Sequence, residues 1–236
     1  GDYNAQVILA VGQKVPRWPE CHFPEWATEL TETSRRQDFF LYLSAVIDRY
    51  KNHPALQYWQ IENEPYLGFG ECILAEKDLL DQEITVVKAI DPVHKIIISD
   101  SGEIGRWYRA AKRGDIFGTT MYRRVYNSVF GYVDYHLPPE FFQLKEKIIR
   151  FLIKDRDKHF IVVELAAEPW LPRQLYETSP EEQFQHFDLA FFQDTIQYAT
   201  QAGFDENYLW GVEWWYWLKE RHGHPEFWDF AKTLFK

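Results

Sequence analysis

Two glutamates, each at the end of an apolar run, are the residues of this sequence with the clearest chemical meaning. Glu64 lies in Asn63-Glu64-Pro65, directly after the run 56–61, and Glu164 follows the run 160–163. Proline cannot donate a hydrogen bond to a neighbouring strand, so the strand predicted over 56–61 has to end by this tripeptide. Most enzymes that cleave glycosidic bonds use a pair of carboxyl groups, and two buried strands that end in glutamates could supply such a pair. The pair therefore predicts an enzyme that hydrolyses carbohydrate.

The two glutamates are predicted to have different roles. Glu64 is the candidate general acid/base, a group that must be protonated before attack and ionised afterwards. Glu164 is the candidate nucleophile, because it terminates its predicted strand. Glu168 competes for that role, but its loop position predicts contact with substrate instead. Retention of configuration would place the two catalytic carboxyl groups about 5–5.5 Å apart.

Further side chains near the predicted strand ends suit sugar binding, since sugar rings pack on aromatic planes and present hydroxyls to polar groups. Asn63 is predicted to bind the sugar 2-hydroxyl, and Tyr122 to hydrogen-bond the nucleophile. One of Trp214 and Trp215 is predicted to form the floor under the sugar, and the sequence does not separate them. The remaining predicted substrate-binding residues are Arg17, Trp18, Glu168 and Trp170.

Simpler interpretations of these residues stay open. Asn63-Glu64-Pro65 is also compatible with a plain turn, and Tyr122 with packing at the rim of the sheet. Arg17 and Trp18 suit structural roles as well as a sugar subsite. The motif His222-Gly223-His224 is weak evidence for a metal, so neither a metal nor any other cofactor is predicted.

Composition narrows the class of protein. The 236 residues carry a formal net charge of −10, which argues against nucleic acid and anionic membrane as partners. No apolar run is long enough to span a bilayer. No Gly-x-Gly-x-x-Gly fingerprint follows the first strand and no Gly-x-Ser-x-Gly elbow occurs, which disfavours dinucleotide binding and α/β-hydrolase esterases.

The hydrophobic pattern predicts strands and helices in alternation. Near-continuous apolar strands that alternate with helices indicate a parallel sheet, either doubly wound or closed as a barrel. Chemically interesting residues at the ends of several strands favour a (β/α)₈ TIM barrel formed by one domain, 1–236. The predicted strands are 6–11, 56–61, 95–99, 116–122, 160–164 and 208–214, and the predicted helices are 34–53, 75–90, 104–112, 138–152, 180–201 and 227–235.

Cys21 and Cys72 are the two cysteines. Each follows a predicted strand, and loops after neighbouring parallel strands leave the same face of a sheet. A disulfide is therefore geometrically feasible, and it would indicate an oxidising compartment. Two unconnected thiols remain the alternative, and the cellular location is left open.

Together these residues resemble clan A of the retaining glycoside hydrolases, most closely the cellulase-type members of family 5. The resemblance runs from Val7 to about Trp228 and is carried by Asn63-Glu64-Pro65, Glu164, Tyr122 and Trp214-Trp215. It implies a (β/α)₈ barrel and a double-displacement mechanism. The tripeptide would end the fourth strand of that barrel, and Glu164 would end the seventh.

On that alignment the first two βα units of the barrel are missing and six strands are present. An N-terminally truncated barrel would expose sheet edges, which predicts self-association through the gap. Three functional hypotheses follow. The first is a retaining hydrolase of a β-linked poly- or oligosaccharide. The second is a non-catalytic carbohydrate-binding barrel or an inactive fragment, and the third is a metal-dependent hydrolase.

Overall fold

The computed structural model of the protein describes residues 4–72 and 78–235. The chain divides into two compact units. The first comprises Gly1–Gly118 and Ile149–Phe160, and the second comprises Thr119–Ile148 and Ile161–Lys236. Each unit carries one of the two candidate catalytic glutamates.

The first unit is a run of parallel strands with helices between them. Strand β2 pairs with β1 on one side and with β3 on the other, both in parallel, and the register places Val11 opposite Ile61. Strand β3 is buried from its second residue onward, as the run of isoleucines predicts. In chain order the elements are β1 (Val7–Val11), α1 (Glu25–Thr28), α2 (Glu32–Tyr50), β2 (Leu56–Ile61), α3 (Leu79–Ile90), β3 (Lys95–Asp100), α4 (Tyr108–Ala111) and β4 (Ile116–Met121), the last of which continues into the second unit.

The second unit contains most of the chain's aromatic core. Its elements are β5 (Arg124–Asn127), β6 (Gly131–Asp134), α5 (Pro139–Ile153), β7 (His159–Ala166), a 3₁₀ turn (Leu175–Glu177), α6 (Pro180–Phe184), α7 (Leu189–Ala202), β8 (Asn207–Trp210), α8 (Val212–His222) and α9 (Glu226–Lys232); α5 and β7 also contribute to the first unit. Strands β5 and β6 form a separate antiparallel hairpin, and β8 pairs with β7 in parallel. Phe192, Trp214, Trp215 and Phe227 pack together in the buried core of this unit.

The predicted (β/α)₈ barrel is wrong. In the described ranges, the main sheet has six strands in the order β1-β2-β3-β4-β7-β8, so the order has two ends. A closed (β/α)₈ barrel needs eight strands with matched tilt and stagger, and six strands do not meet that requirement. The predicted alternation of strand and helix and the predicted number of main strands are confirmed.

Several predicted boundaries are also wrong. Helix α2 begins earlier than predicted, because Thr31 accepts a hydrogen bond from the Ser34 N–H at 3.2 Å and caps the helix. The predicted helix 180–201 is two helices, and Asp188 caps the second by accepting from the Phe191 N–H at 2.7 Å. The predicted start of the helix at residue 75 lies outside the described residues.

The hairpin and helices α1 and α8 were not predicted. Helix α8 replaces the end of the predicted last strand, because Gly211 takes φ 145° directly after β8 and the chain becomes helical at Val212. Among the described residues, no helix is long and apolar enough to cross a membrane.

Candidate active site

Glu64 lies in a loop whose backbone is unusual. Strand β2 ends at Ile61, and both Glu62 and Glu64 then take left-handed conformations, with φ of 60° and 42°. Such angles are uncommon for residues with a Cβ and persist only where surrounding contacts impose them. The Glu64 N–H donates to Ser99 Oγ at 2.9 Å, and the side chain is buried.

Asn63 is held between β2 and β3. Its Oδ1 accepts hydrogen bonds from Gln60 Nε2 at 3.2 Å and from Ser99 Oγ at 3.3 Å. The Asn63 N–H donates to the Lys14 carbonyl at 2.8 Å. Both of these side-chain contacts use the amide oxygen of Asn63.

Glu62 fastens the loop after β1 to the loop after β2. Its two carboxylate oxygens accept from the N–H groups of Gln13 and Lys14, each at 2.7 Å. The backbone at Gly12 approaches so closely that a Cβ there would lie 2.6 Å from Glu62 Cδ. Glu62 is therefore a structural carboxylate, and Gly12 provides the space that it needs.

A second buried carboxyl group, Glu83 on α3, interacts electrostatically with Glu62, and neither of its oxygens has a hydrogen-bond partner among the described residues. Burial and the adjacent charge of Glu62 raise the pKa of Glu83 to about 10, which favours the protonated form of Glu83. Burial raises the pKa of Glu62 as well, but hydrogen bonds from the N–H groups of Gln13 and Lys14 oppose this shift. We assign the negative charge of the pair to Glu62 for that reason.

Lys14 completes this network and was not recognised from the sequence. Its ammonium group lies 3.1 Å from the carbonyl oxygens of Glu64 and Leu67 and 3.0 Å from Glu20 Oε2. The lysine and its carboxylate partner are each only 6% exposed. Burial raises the pKa of Glu20, and the Lys14 charge opposes that shift. The one available signal was a lysine three residues after the end of the apolar run 7–11.

The disulfide between Cys21 and Cys72 is present, with a Cα–Cα distance of 5.3 Å. Beside it, the Glu71 N–H donates to the Pro19 carbonyl at 3.0 Å. The interpretation as two unconnected thiols is therefore wrong.

Trp18 packs edge-on against Phe69 with ring centroids 5.7 Å apart and remains 55% exposed. The neighbouring Arg17 is also exposed. A sugar subsite at these two residues stays a prediction.

Glu164 lies inside strand β7 rather than at its end. The strand continues to Ala166, because Leu165 and Ala166 extend the apolar run. The Tyr122 hydroxyl, which follows β4, donates to Glu164 Oε2 at 2.8 Å, so the predicted hydrogen bond is present. Trp170 packs edge-on against the Tyr122 ring with centroids 5.2 Å apart. Tyr122, Glu164 and Trp170 thus form one cluster in the second unit.

Glu168 is engaged by a tryptophan that sequence reasoning missed. Trp210, the last residue of β8, donates its indole N–H to Glu168 Oε1 at 2.9 Å. A Cβ at Gly211 would lie 2.5 Å from the Ala167 carbonyl oxygen, so only glycine fits directly after this tryptophan. The Trp-Gly pair at the end of an apolar run was the signal that could have identified Trp210.

Trp214 and Trp215 are buried on α8, each 2% exposed. The Trp214 indole donates to Gln183 Oε1 at 2.6 Å, and the Trp215 indole donates to the Ala167 carbonyl at 2.7 Å. Both N–H groups are satisfied inside the core. Both rings pack in the core cluster of the second unit, and a place for one of them under the sugar stays a prediction.

Histidines do not gather into a metal site in the described ranges, where no group of three or more His, Cys, Asp or Glu side chains is arranged to hold an ion. His224 instead pairs with Glu226 at 3.0 Å. The chemistry available to the described residues is that of two carboxylic acids, each fixed within its own unit.

Comparison with known proteins finds relatives among the glycoside hydrolases. No protein-family model matches the chain. It is 33% identical over 79 residues to a probable mannan endo-1,4-β-mannosidase F of Emericella nidulans, a match covering 33% of this chain and 17% of the relative. It is 30% identical over 106 residues to the enzyme of that name from Aspergillus flavus, covering 43% and 19%. The matches thus span less than a fifth of these relatives.

Among solved structures, the chain is similar in fold to the β-galactosidase from Bacillus circulans sp. alkalophilus. The TM-score is 0.50 at 14% sequence identity, and the match covers 75% of this chain and 34% of the other. The chain is therefore similar to glycoside hydrolases in sequence over part of its length and in fold over most of it.

Proposed function

We propose that this chain hydrolyses β-linked poly- or oligosaccharides by a retaining double-displacement mechanism, with Glu164 as nucleophile and Glu64 as general acid/base. The observation that carries the proposal is the 2.8 Å hydrogen bond from the Tyr122 hydroxyl to Glu164 Oε2. A hydroxyl donor to one carboxylate oxygen stabilises the ionised form and fixes its orientation, as a nucleophile requires.

In the first step, Glu164 attacks the anomeric carbon while Glu64 transfers its proton to the departing glycosidic oxygen. This forms a glycosyl ester on Glu164. In the second step, Glu64 takes a proton from water, the water oxygen attacks the anomeric carbon, and Glu164 leaves as the carboxylate. The sugar keeps its anomeric configuration. The mechanism requires the two carboxyl groups to lie about 5–5.5 Å apart around the bound sugar.

The proposed substrate contacts follow from the described side chains. Asn63 Nδ2 is proposed to donate to the sugar 2-hydroxyl. Trp210 and Trp170 are partly buried aromatic residues beside Glu168 and Tyr122, and they supply ring surface for the sugar. In this proposal Trp210 takes the role that the sequence assigned to Trp214 or Trp215.

Mannan is the first substrate to test. The matched relatives are named as mannan endo-1,4-β-mannosidases, and Asn63-Glu64-Pro65 resembles the acid/base motif of family 5. We propose a β-1,4-linked mannan for this reason.

The test uses the full 236-residue chain with β-1,4-mannan oligosaccharides and monitors product anomers by NMR. We expect the first product to carry the β configuration. Glu164→Gln and Glu64→Gln should each abolish hydrolysis at unchanged melting temperature. Glu140→Gln and Glu29→Gln change exposed glutamates of the second and first unit, respectively, and should retain full activity.

Mass spectrometry after incubation with a 2-deoxy-2-fluoro glycoside identifies the nucleophile directly. We expect the label on the peptide that contains Glu164. A label on Glu168, or wild-type turnover in Glu164→Gln, refutes this assignment. Saturable binding of oligosaccharides without any turnover would support the non-catalytic carbohydrate-binding alternative instead.

A further inference from the structure

A second cluster of charged and aromatic side chains lies at the base of the β5–β6 hairpin. The two ends of the hairpin meet there, because the Tyr135 N–H donates to the Arg123 carbonyl at 2.9 Å. A cleft of about 180 Å³ opens at this point. It is lined by Arg123, Arg124, Asp134, Tyr135, His136 and Phe191.

One of the two arginines is fully used by the fold. Arg124 forms a bidentate ion pair with Asp134, at 2.6 Å and 3.1 Å, and donates to the His186 carbonyl at 2.9 Å. The hydrogen bond from Arg124 lowers the pKa of Asp134, which keeps this carboxylate ionised. The charges of Arg124 and Asp134 therefore cancel.

The other arginine has no such partner. Among the described residues, the Arg123 guanidinium donates no hydrogen bond, and its Nη1 atom is buried. Aromatic rings hold it in place, because its Cζ lies 5.0 Å from the centroid of Phe191 and 5.2 Å from that of Tyr198. Tyr198 is itself fixed by donating to the Leu137 carbonyl at 2.8 Å. Arg123 also interacts electrostatically with Asp134, so the two arginines and one aspartate of the lining leave the cleft with a net charge of +1.

We propose that this cleft binds a carboxylate-bearing ligand about the size of one uronic acid residue, with Arg123 as its anchor. A guanidinium group is planar and matches the two oxygens of a carboxylate. A single uncompensated charge fits a monoanion better than the dianion sulfate. The ring of Phe191 offers an apolar wall to the rest of the ligand, and His136 adds a polar group at the open side.

The size of the cleft limits the ligand. Its volume of about 180 Å³ is below the ~300–1,000 Å³ of pockets that enclose drug-sized molecules. One sugar ring with a carboxylate fits a cleft of this volume, and a longer glycan would extend out of the cleft. The proposal concerns binding alone and does not depend on the hydrolytic function.

Titration of the full chain with D-glucuronate, followed by calorimetry and NMR, tests the proposal. We expect saturable one-to-one binding. The affinity should be at least ~10-fold weaker in Arg123→Gln, because the charged, planar guanidinium group is lost. Arg123→Lys keeps the charge but not the planar guanidinium group, so its affinity for glucuronate should lie between those of the wild type and Arg123→Gln. Arg221→Gln removes an exposed arginine of the same unit and should bind like the wild type.

Two further titrations separate the ligand classes. D-glucose has the same ring without the carboxylate and should not bind the cleft, and sulfate should bind more weakly than glucuronate. Equal binding of glucose or sulfate overturns the proposal, as does unchanged glucuronate affinity in Arg123→Gln. If Arg123→Gln fails to fold, full wild-type affinity in Arg123→Lys overturns the bidentate role instead.

Discussion

The two candidate catalytic glutamates are held in opposite ways. Glu64 lies in a loop with two left-handed residues, which Lys14, Glu62 and the Cys21–Cys72 disulfide fasten to the loop after β1. Glu164 lies inside strand β7, where the pairing with β8 shifts register between Val162 and Leu165, and it accepts a hydrogen bond from Tyr122. Contacts from several parts of the chain fix the position of Glu64, whereas strand β7 fixes the position of Glu164.

This difference predicts different sensitivities. The contacts of the Glu64 loop join residues about 50 positions apart, as in the Lys14–Glu64 hydrogen bond, so their loss should destabilise the fold. The Tyr122–Glu164 hydrogen bond supports one side chain on a strand that forms without it. Its loss should affect catalysis more than stability.

Lys14→Met should have the largest effect. It leaves the buried Glu20 carboxylate and two carbonyl oxygens without their ammonium partner, and breaking a buried pair on one side costs about 3–5 kcal/mol. Urea unfolding measures this loss. Lys51→Met removes the surface pair with Asp48 and should cost at most about 1 kcal/mol. Equal losses in the two variants would show that the loop does not depend on Lys14.

Removal of the disulfide should come next. The double variant Cys21→Ser with Cys72→Ser releases a link across 51 residues, which should lower the free energy of unfolding by about 2–4 kcal/mol. Dithiothreitol should destabilise the wild type by a similar amount and leave the double variant unchanged. A wild type indifferent to the reductant would contradict the prediction.

Tyr122→Phe tests the other region. It keeps the ring contact with Trp170 but removes a hydrogen bond to a carboxylate, a contribution of about 1.5–3 kcal/mol. If this contribution supports the transition state, kcat/KM should fall about 10–100-fold with little change in melting temperature. Tyr176→Phe, at an exposed tyrosine, should leave both unchanged. A large loss of stability in Tyr122→Phe would remove the contrast between the two regions.

At pH 5, Glu83→Gln should have the smallest effect of these variants, because both side chains are neutral in the folded chain, but the effect changes with pH. The pKa of Glu83 rises from the ordinary 4.5 to about 10 on folding, so its contribution to stability is complete below pH 4.5 and declines as the pH rises towards 10. Glutamine is neutral at every pH, so the variant lacks this titrating group. Between pH 5 and pH 9, wild-type stability should therefore fall several kcal/mol further than that of the variant, about 1.4 kcal/mol for each pH unit over which only the folded chain holds the proton.

Unfolding curves at several pH values measure this difference. Glu29→Gln, at an exposed position, should keep the wild-type dependence. Parallel pH dependences of wild type and Glu83→Gln would show that the Glu62–Glu83 pair does not hold a proton.

Local patterns were sufficient to predict much of the fold. Strands β1, β2, β3 and β4 were located to within about one residue, because each is a continuous apolar run followed by polar or turn residues. The end of β8 was missed because Gly211-Val212-Glu213-Trp214 also fits a strand. The change to helix depends on the close approach of Gly211 to Ala167, which only the folded chain reveals.

The candidate site, like the fold, was predicted in part from the sequence. Glu64 and Tyr122 follow strands β2 and β4 and Tyr122 hydrogen-bonds to Glu164, as predicted, whereas Glu164 lies inside β7 and not at its end. The catalytic roles stay predictions. The pairing of Glu62 with Glu83 and the contacts of Lys14 do not, because they join side chains that are far apart in sequence. The core positions of Trp214 and Trp215 depend on the direction of a helix that the pattern did not indicate.

The close approach of Gly12 to Glu62 has a consequence for how related sequences can vary. A side chain at position 12 would overlap the Glu62 carboxylate, and a shorter residue at position 62 would leave the Gln13 and Lys14 N–H groups without acceptors. Neither position can change alone at low cost. In an alignment of homologues, positions 12 and 62 should therefore covary, and a larger residue at 12 should coincide with loss of glutamate at 62.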